Sequence, residues 1–318
     1  MEQSNPIKID GIYYHLNHDN KTAEVTIGKD EEYTGSIVIP RRKRFNGELY
    51  SVVAIDRAAF HNCSKLTSVI IPNTVNSIDE FAFKGCSGLT SVIIPNSVTA
   101  IGECAFYECS GLTSVIIPNS VKVIGIYAFK GCSGLTSVII PNSVEVIGNY
   151  AFEDCSGLTS VTIPNSVVAI GELAFCRCSG LTKLVVDLEN PSYDSREGCN
   201  AIIESSTNKL IAGCKSTIIP KTVTTIGKSA FEGCSGLALV SIPSSVTTIN
   251  IGAFSRCSDL VSFTCLAIEP PICRKSFDEI NEDCRLFVPK ESIDKYKAAE
   301  GWKEFEHISA IEDMDEEE

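Results

Sequence analysis

A single tryptophan, two methionines and four histidines are spread over 318 residues. Each scarcity narrows the chemistry. No apolar run approaches the roughly 18 residues of a membrane-spanning helix, because every V-I-I-P stretch ends in proline. Positive charge is also short, with 27 Lys and Arg against 40 Asp and Glu, a net charge of −13. The lone basic cluster, Arg41, Arg42, Lys43 and Arg44, is too small to offset a surface that repels phosphate backbones, which excludes nucleic acid as a partner. Residues Met1 to Asp10 lack a charged start followed by an apolar core, so no secretory signal is visible in the chain as given. There is no C-x-x-C pair, and Cys176-x-Cys178 has no paired histidines, which argues against a structural zinc site. Neither G-x-x-x-x-G-K-[ST] nor G-x-G-x-x-G occurs, so no nucleotide cradle and no cofactor is implied. His15, His18, His61 and His307 are scattered, and none accompanies a distinctive serine or cysteine motif. A catalytic residue is normally singular, whereas each Cys-Ser-Gly here is one of several copies. The sequence therefore reads as noncatalytic.

What the chain has in abundance is repetition. An apolar content of 44% with 21% charged residues belongs to a folded protein. From Leu66 the sequence aligns in rows of 23, among them LTSVIIPNSVTAIGECAFYECSG and LTSVIIPNSVKVIGIYAFKGCSG. A fixed period of this length is a solenoid signature. The frame extends outward with edits: Pro40 to Cys63 carries about nine extra residues, and the turn spanning Val186 to Ile219 is ten too long. Within a row, Leu89, Val92 and Ile94 alternate inward while Ser91 and Ile93 point out, the period of a half-buried strand. Pro95 has no N–H to donate and ends the strand at the same edge in every turn. Val98, Ile101 and the Ala105–Phe106 pair predict a second short side and then an irregular segment. No single row can bury its own apolar face, so stacked rows must share a core. With strands about 4.8 Å apart, ten or so rungs make an arc on the order of 45 Å long.

These rows resemble the BspA-like leucine-rich repeat family, whose cysteine-bearing 23-residue repeat occurs in surface proteins of anaerobic bacteria and some parasitic protists. The resemblance, carried by LTSVIIPNSVxxIGxxAFxxCSG, implies a leucine-rich repeat arc with a parallel strand-lined face. It also implies a surface or secreted, adhesin-like role, binding a protein or glycan of a host or neighbouring cell. A self-associating structural surface protein is the alternative, and the oligomeric state stays open.

The expected organisation is an N-terminal β-hairpin cap (residues 1–39), the repeat solenoid (40–265), a helical C-terminal cap (266–311) and an acidic, solvated tail (312–318). Ile12 to Leu16 and Ala23 to Ile27 form the front hairpin, with His15 and His18 solvated upon it. In the back cap, Pro289 starts a helix that Gly301 stops, and Trp302, Phe305 and Ile308 follow at three-residue spacing as a hydrophobic lid. Within the long repeat 187–219, the segment CNAIIESSTNKLIAGC predicts a protruding hairpin. If Ser206 and Thr207 sit at its centre, Cys199 faces Cys214, which leaves two readings: a disulfide in an oxidising compartment, or two buried thiols. The repeating cysteines stack as a ladder whose spacing favours free thiols. The candidate binding residues are the outward strand positions: Ser91, Ser114, Ser137 and Ser160 in one column, Ile93, Ile116, Ile139 and Thr162 in the next. Stacked isoleucines facing solvent make an apolar stripe of the kind that marks partner sites.

Overall fold

The computed structural model describes residues 5–28 and 32–316, so Glu317 and Glu318 of the acidic tail, and the start of the N-terminal segment, lie outside the described residues. The chain divides into two compact units, one reaching Leu158 and including Ala169–Ala174, the other made of Thr159–Val168 and the residues from Phe175 on. Both are parallel-strand solenoids, together about 11 turns.

In the first unit each 23-residue row lays down one turn. Its first side is a strand of the face sheet, at Leu66–Ile70, Ser91–Ile93, Ser114–Ile116 and Ser137–Ile139, paired in parallel with Ser over Ser and Ile over Ile. Proline closes the strand with a tight turn, in which the Val98 N–H donates to the Pro95 carbonyl at 3.0 Å. The second side is a two-residue strand, such as Ala100–Ile101, stacked in parallel on its neighbours Ile78 and Val123–Ile124. The third side has no strand but does have a ladder: the N–H groups of Phe83, Phe106, Phe129 and Phe152 each donate at 2.8 Å to the alanine carbonyl of the following rung. Three hydrogen-bonded sides per rung satisfy the buried backbone that such a short coil would otherwise leave unpaired.

The core columns are uniform. Leu89, Val92, Ile94, Val98, Ile101, Ala105, Phe106 and Cys109 are all buried, as are their counterparts in adjacent rungs. Phe60, Phe83, Phe106, Phe129 and Phe152 stack with centroids 5.0 to 5.3 Å apart and rings within 7° of parallel. Gly102 is required for close approach: a Cβ there would lie 2.7 Å from the backbone carbon of Asp79 in the rung before.

The solenoid begins before residue 40. Gly35–Val38 is the first strand of the face sheet, setting Val38 beside Ile70. The nine extra residues that follow fold into a hairpin of Arg42–Phe45 on Glu48–Ile55, which hides the repeat from a fixed 23-residue frame. The front cap has three antiparallel strands, Ile7–Ile9, Ile12–Asn17 and Thr22–Thr26. His15 and His18 are not simply solvated there: His15 Nδ1 lies 3.0 Å from Asp56 and His18 Nδ1 lies 2.6 Å from the Tyr50 hydroxyl, both partners supplied by the first long turn.

In the second unit the long repeat does not protrude. Tyr193–Asp194, Ile202–Glu204 and Lys209–Ala212 form an antiparallel trio whose last strand continues in parallel with Thr225–Ile226, Thr248–Ile249 and Ile272–Cys273. Burying Ile202, Ile203 and Leu210 drives this inclusion. A bulge between Ile202 and Ile203 sets Ile202, rather than Ala201, opposite Ala212. Beyond it the pairing stops, so Cys199 and Cys214 are not an opposed strand pair.

The strand ladders also pass residue 265. Arg285–Val288, ending in proline like the earlier rows, pairs with Ser262–Cys265, and His307–Ala310 adds a further parallel strand. The α-helix of this C-terminal region is only Ile293–Ala298, shorter than the segment from Pro289 to Gly301, and Ile308 lies on the strand His307–Ala310. Trp302 is fully buried against Phe263, Phe277, Tyr296 and Phe305, and its Nε1 donates to the Pro271 carbonyl at 2.7 Å. Residues Ile311–Glu316 form a 3-10 helix against the last strands.

Candidate functional site

Strand alternation decides which side chains line the face. Because Val92 and Ile94 are drawn into the core, Ser91 and Ile93 must point outward, and the zero-shift register repeats that choice in each rung. The first unit therefore brings together Ser91, Ile93, Ser114, Ile116, Ser137 and Ile139. Ile93, Ile116 and Ile139 are 62%, 69% and 78% exposed, although isoleucine is among the residues most often buried. Sequence reasoning missed the top of the column, Ser36 and Val38, because nine inserted residues break the 23-residue count. Ser68 Oγ donates to Ser36 Oγ at 2.7 Å. Ser160 and Thr162 belong to the second unit, where they pair with Lys183 and Val185.

Beside this column a second row of hydroxyls is already engaged. The Thr90, Thr113 and Thr136 hydroxyls each donate to the carbonyl of the preceding threonine, at 3.2 to 3.4 Å. From Leu66 to Ile78, Leu89 to Gly102, Leu112 to Val121 and Leu135 to Val144 there is no charged residue. Charge is confined to the other sides of the coil. There Lys130 and Glu153 pair at 2.6 Å with the carboxylate nearly buried, while Lys122 and Glu145 pair at 2.9 Å in the open, where an ion pair contributes little.

In the second unit the same outward column is treated differently. Ile218 is 77% exposed, but Thr264 and Phe287 are covered, with the Thr264 hydroxyl 3.8 Å from Met314 Sδ of the terminal 3-10 helix. Ile218, Leu239, Leu266 and Met314 line an open cleft of about 420 Å³.

Cys199 and Cys214 are both buried thiols, with no disulfide between them. In the first unit each repeat thiol reaches the phenylalanine of the preceding rung: Cys109, Cys132 and Cys155 Sγ donate to the carbonyls of Phe83, Phe106 and Phe129 at 3.1 Å. Burial pushes the Cys86 thiol up to about 12 and lifts Cys109, Cys132 and Cys155 well above the ordinary thiol value, which makes them inert rather than nucleophilic. Near the front cap, burial and then the neighbouring carboxylates Asp56 and Asp79 raise Glu24. Among the described residues no group of three His, Cys, Asp or Glu side chains is arranged to hold a metal ion, and no helix is long and apolar enough to cross a membrane.

A family defined as the BspA type leucine rich repeat region matches residues 53–182 and 202–296, in six copies. The chain belongs to that family. Among solved structures, this BspA-type repeat chain is similar to a leucine rich cell surface protein of Faecalibacterium prausnitzii A2-165, at 26% identity and TM-score 0.66, over 98% of this chain and 96% of that one. It shares its fold with the pneumococcal vaccine antigen PcpA, at 16% identity and TM-score 0.58, over 98% and 99% of the two chains. It likewise shares its fold with a leucine-rich repeat protein of Eubacterium ventriosum ATCC 27560, at 18% identity and TM-score 0.50, over 94% and 82%. No curated protein matches the chain. The family and its bacterial relatives are repeat scaffolds, and scaffolds of this kind generally bind proteins.

Proposed function

We propose that this chain is a noncatalytic, adhesin-like binder at the bacterial surface or secreted from it, and that the strand face of its first unit contacts a protein or glycan of a host or neighbouring cell. The exposed isoleucine column carries the reading. Exposed isoleucines stacked in register make a continuous apolar stripe, and a stripe of this kind marks a partner site. The rigid coil adds to it: side chains fixed in columns lose little conformational freedom on binding, so weak contacts repeated along the face sum to useful affinity. The surface location is supported by the cell-surface relative from Faecalibacterium prausnitzii.

The test is a panel of immobilised matrix proteins and glycans probed with the wild-type chain and with the triple variant I93K/I116K/I139K. At least one ligand is expected to lose most of its signal with the variant, whose circular dichroism and unfolding midpoint stay close to wild type. Equal signals from both proteins across the panel would reject the strand face as the site.

A further inference from the structure

Two properties of the face go beyond its exposure: a constant pitch and the absence of charge. Val38, Ile70, Ile93, Ile116 and Ile139 are stacked in register, one per rung. Their strands are about 4.8 Å apart, and the phenylalanine rings behind them repeat every 5.0 to 5.3 Å. An α-helix with apolar residues alternating at three and four positions advances about 5.25 Å between them, 3.5 residues at 1.5 Å each. Over four steps it drifts from the rungs by under about 2 Å, less than half a rung. An extended chain presents one face every second residue, about 6.7 Å apart, and drifts by more than about 7 Å, over a full rung.

The size of the stripe limits what can cover it. One column of five side chains is a few hundred Å², well short of the roughly 800 Å² per partner in a stable protein interface. A second copy meeting this face must also bring another net charge of −13 close to the first. From Ile70 to Ile139 the surroundings are serine, threonine and asparagine, with no ion to attract or to desolvate; only the top rung differs, where Arg41 follows Val38 and Pro40 in the place of that asparagine.

We propose that this face accepts an α-helix from a protein partner, laid along the isoleucine column with one apolar side chain per rung and uncharged residues on its contacting flanks. The inference rests on the strand-face reading above and names the partner class for that site. The helix axis follows the stack, its apolar seam meets the isoleucines, and its small polar flanks meet the serine column. Because no charges meet, affinity is insensitive to salt.

The experiment uses three fluorescent peptides of about 21 residues and identical composition, with leucines at alternating three- and four-residue spacing, at every second position, or shuffled. Each is titrated against the full wild-type chain, against I93K/I116K/I139K and against I93T/I116T/I139T, threonine being native to the equivalent position of a later repeat, Thr162. The helix-spaced peptide is expected to bind wild type at least about tenfold tighter than the other two, and to change little between about 50 and about 500 mM salt. The threonine variant should weaken it and the lysine variant should abolish it, with both proteins folded by circular dichroism. Lysine-sensitive binding of the every-second-position peptide, equal to or tighter than the helix-spaced one, overturns the helix and leaves the face standing. Light scattering that shows lysine-sensitive self-association makes a second copy the occupant and also overturns it. No lysine-sensitive peptide binding overturns the helix as well, and the matrix and glycan panel then decides separately whether the face survives.

Discussion

Phe106 is sandwiched between Phe83 and Phe129 at 5.2 Å and is fully buried, so removing its ring leaves a void that two rungs line. Phe106→Ala should cost about 3–5 kcal/mol, read as a lowered urea midpoint. An unchanged midpoint would mean the stack contributes nothing. Gly102→Ala should also destabilise, because its Cβ would lie 2.7 Å from the Asp79 backbone, which has no flexible end to yield. The thiols give a pH dependence with a definite sign. Burial raises Cys86 to about 12 and its stacked neighbours well above their ordinary value. A thiol raised in the folded state stays neutral there, while the unfolded chain ionises near its ordinary value. The stability it supplies is full below that value and is lost as pH rises towards 12. Urea midpoints should therefore fall steadily above about pH 9, and a flat profile to pH 11 would contradict the buried-thiol ladder. Glu24 works in the same direction among the carboxylates: burial raises it, so its charged form burdens the fold at neutral pH. Glu24→Gln should raise the melting temperature at pH 7, and the gain should vanish on acidification through the carboxylate range.

At the scale of single strands and turns, the regular rows were legible and the irregular ones were not. Leu89, Val92 and Ile94 announce the inward face because alternation and proline recur unchanged from row to row. The insertion at 187–219 has no second copy to align with, and its pairing depends on a bulge between Ile202 and Ile203 that no local composition signals. Ile308 follows Trp302 and Phe305 at three-residue spacing, but its pairing with Leu286 on a further parallel strand has no signal in that spacing. Contacts such as His15 with Asp56, 41 positions apart, are set by stacking and leave no mark in a linear pattern. For the face itself, exposure makes a plain prediction. Replacing Ile116 by Thr should alter stability by no more than about 0.5 kcal/mol, as expected of a surface site. A larger loss would assign the column a structural role in place of a binding one.

Across the whole molecule, antiparallel strands lead into the parallel ladders: Ile7–Ile9, Ile12–Asn17 and Thr22–Thr26 in the first unit, and in the second, after the parallel pair Ser160–Ile163 and Lys183–Val186, the trio Tyr193–Asp194, Ile202–Glu204 and Lys209–Ala212. An open rung would expose strand edges and core, and a hairpin laid on it covers both. Segregation of charge is the other property of this scale: the chain carries −13 overall yet keeps four successive strand-and-turn segments free of any charged residue. The measurement that tests the account most directly is hydroxyl-radical footprinting of the chain with its bound ligand. Protection is expected at Ile93, Ile116 and Ile139, with Tyr107 and Tyr127 on the charged side unchanged. Protection of the tyrosines, with the three isoleucines still oxidised at their free rate, would contradict it.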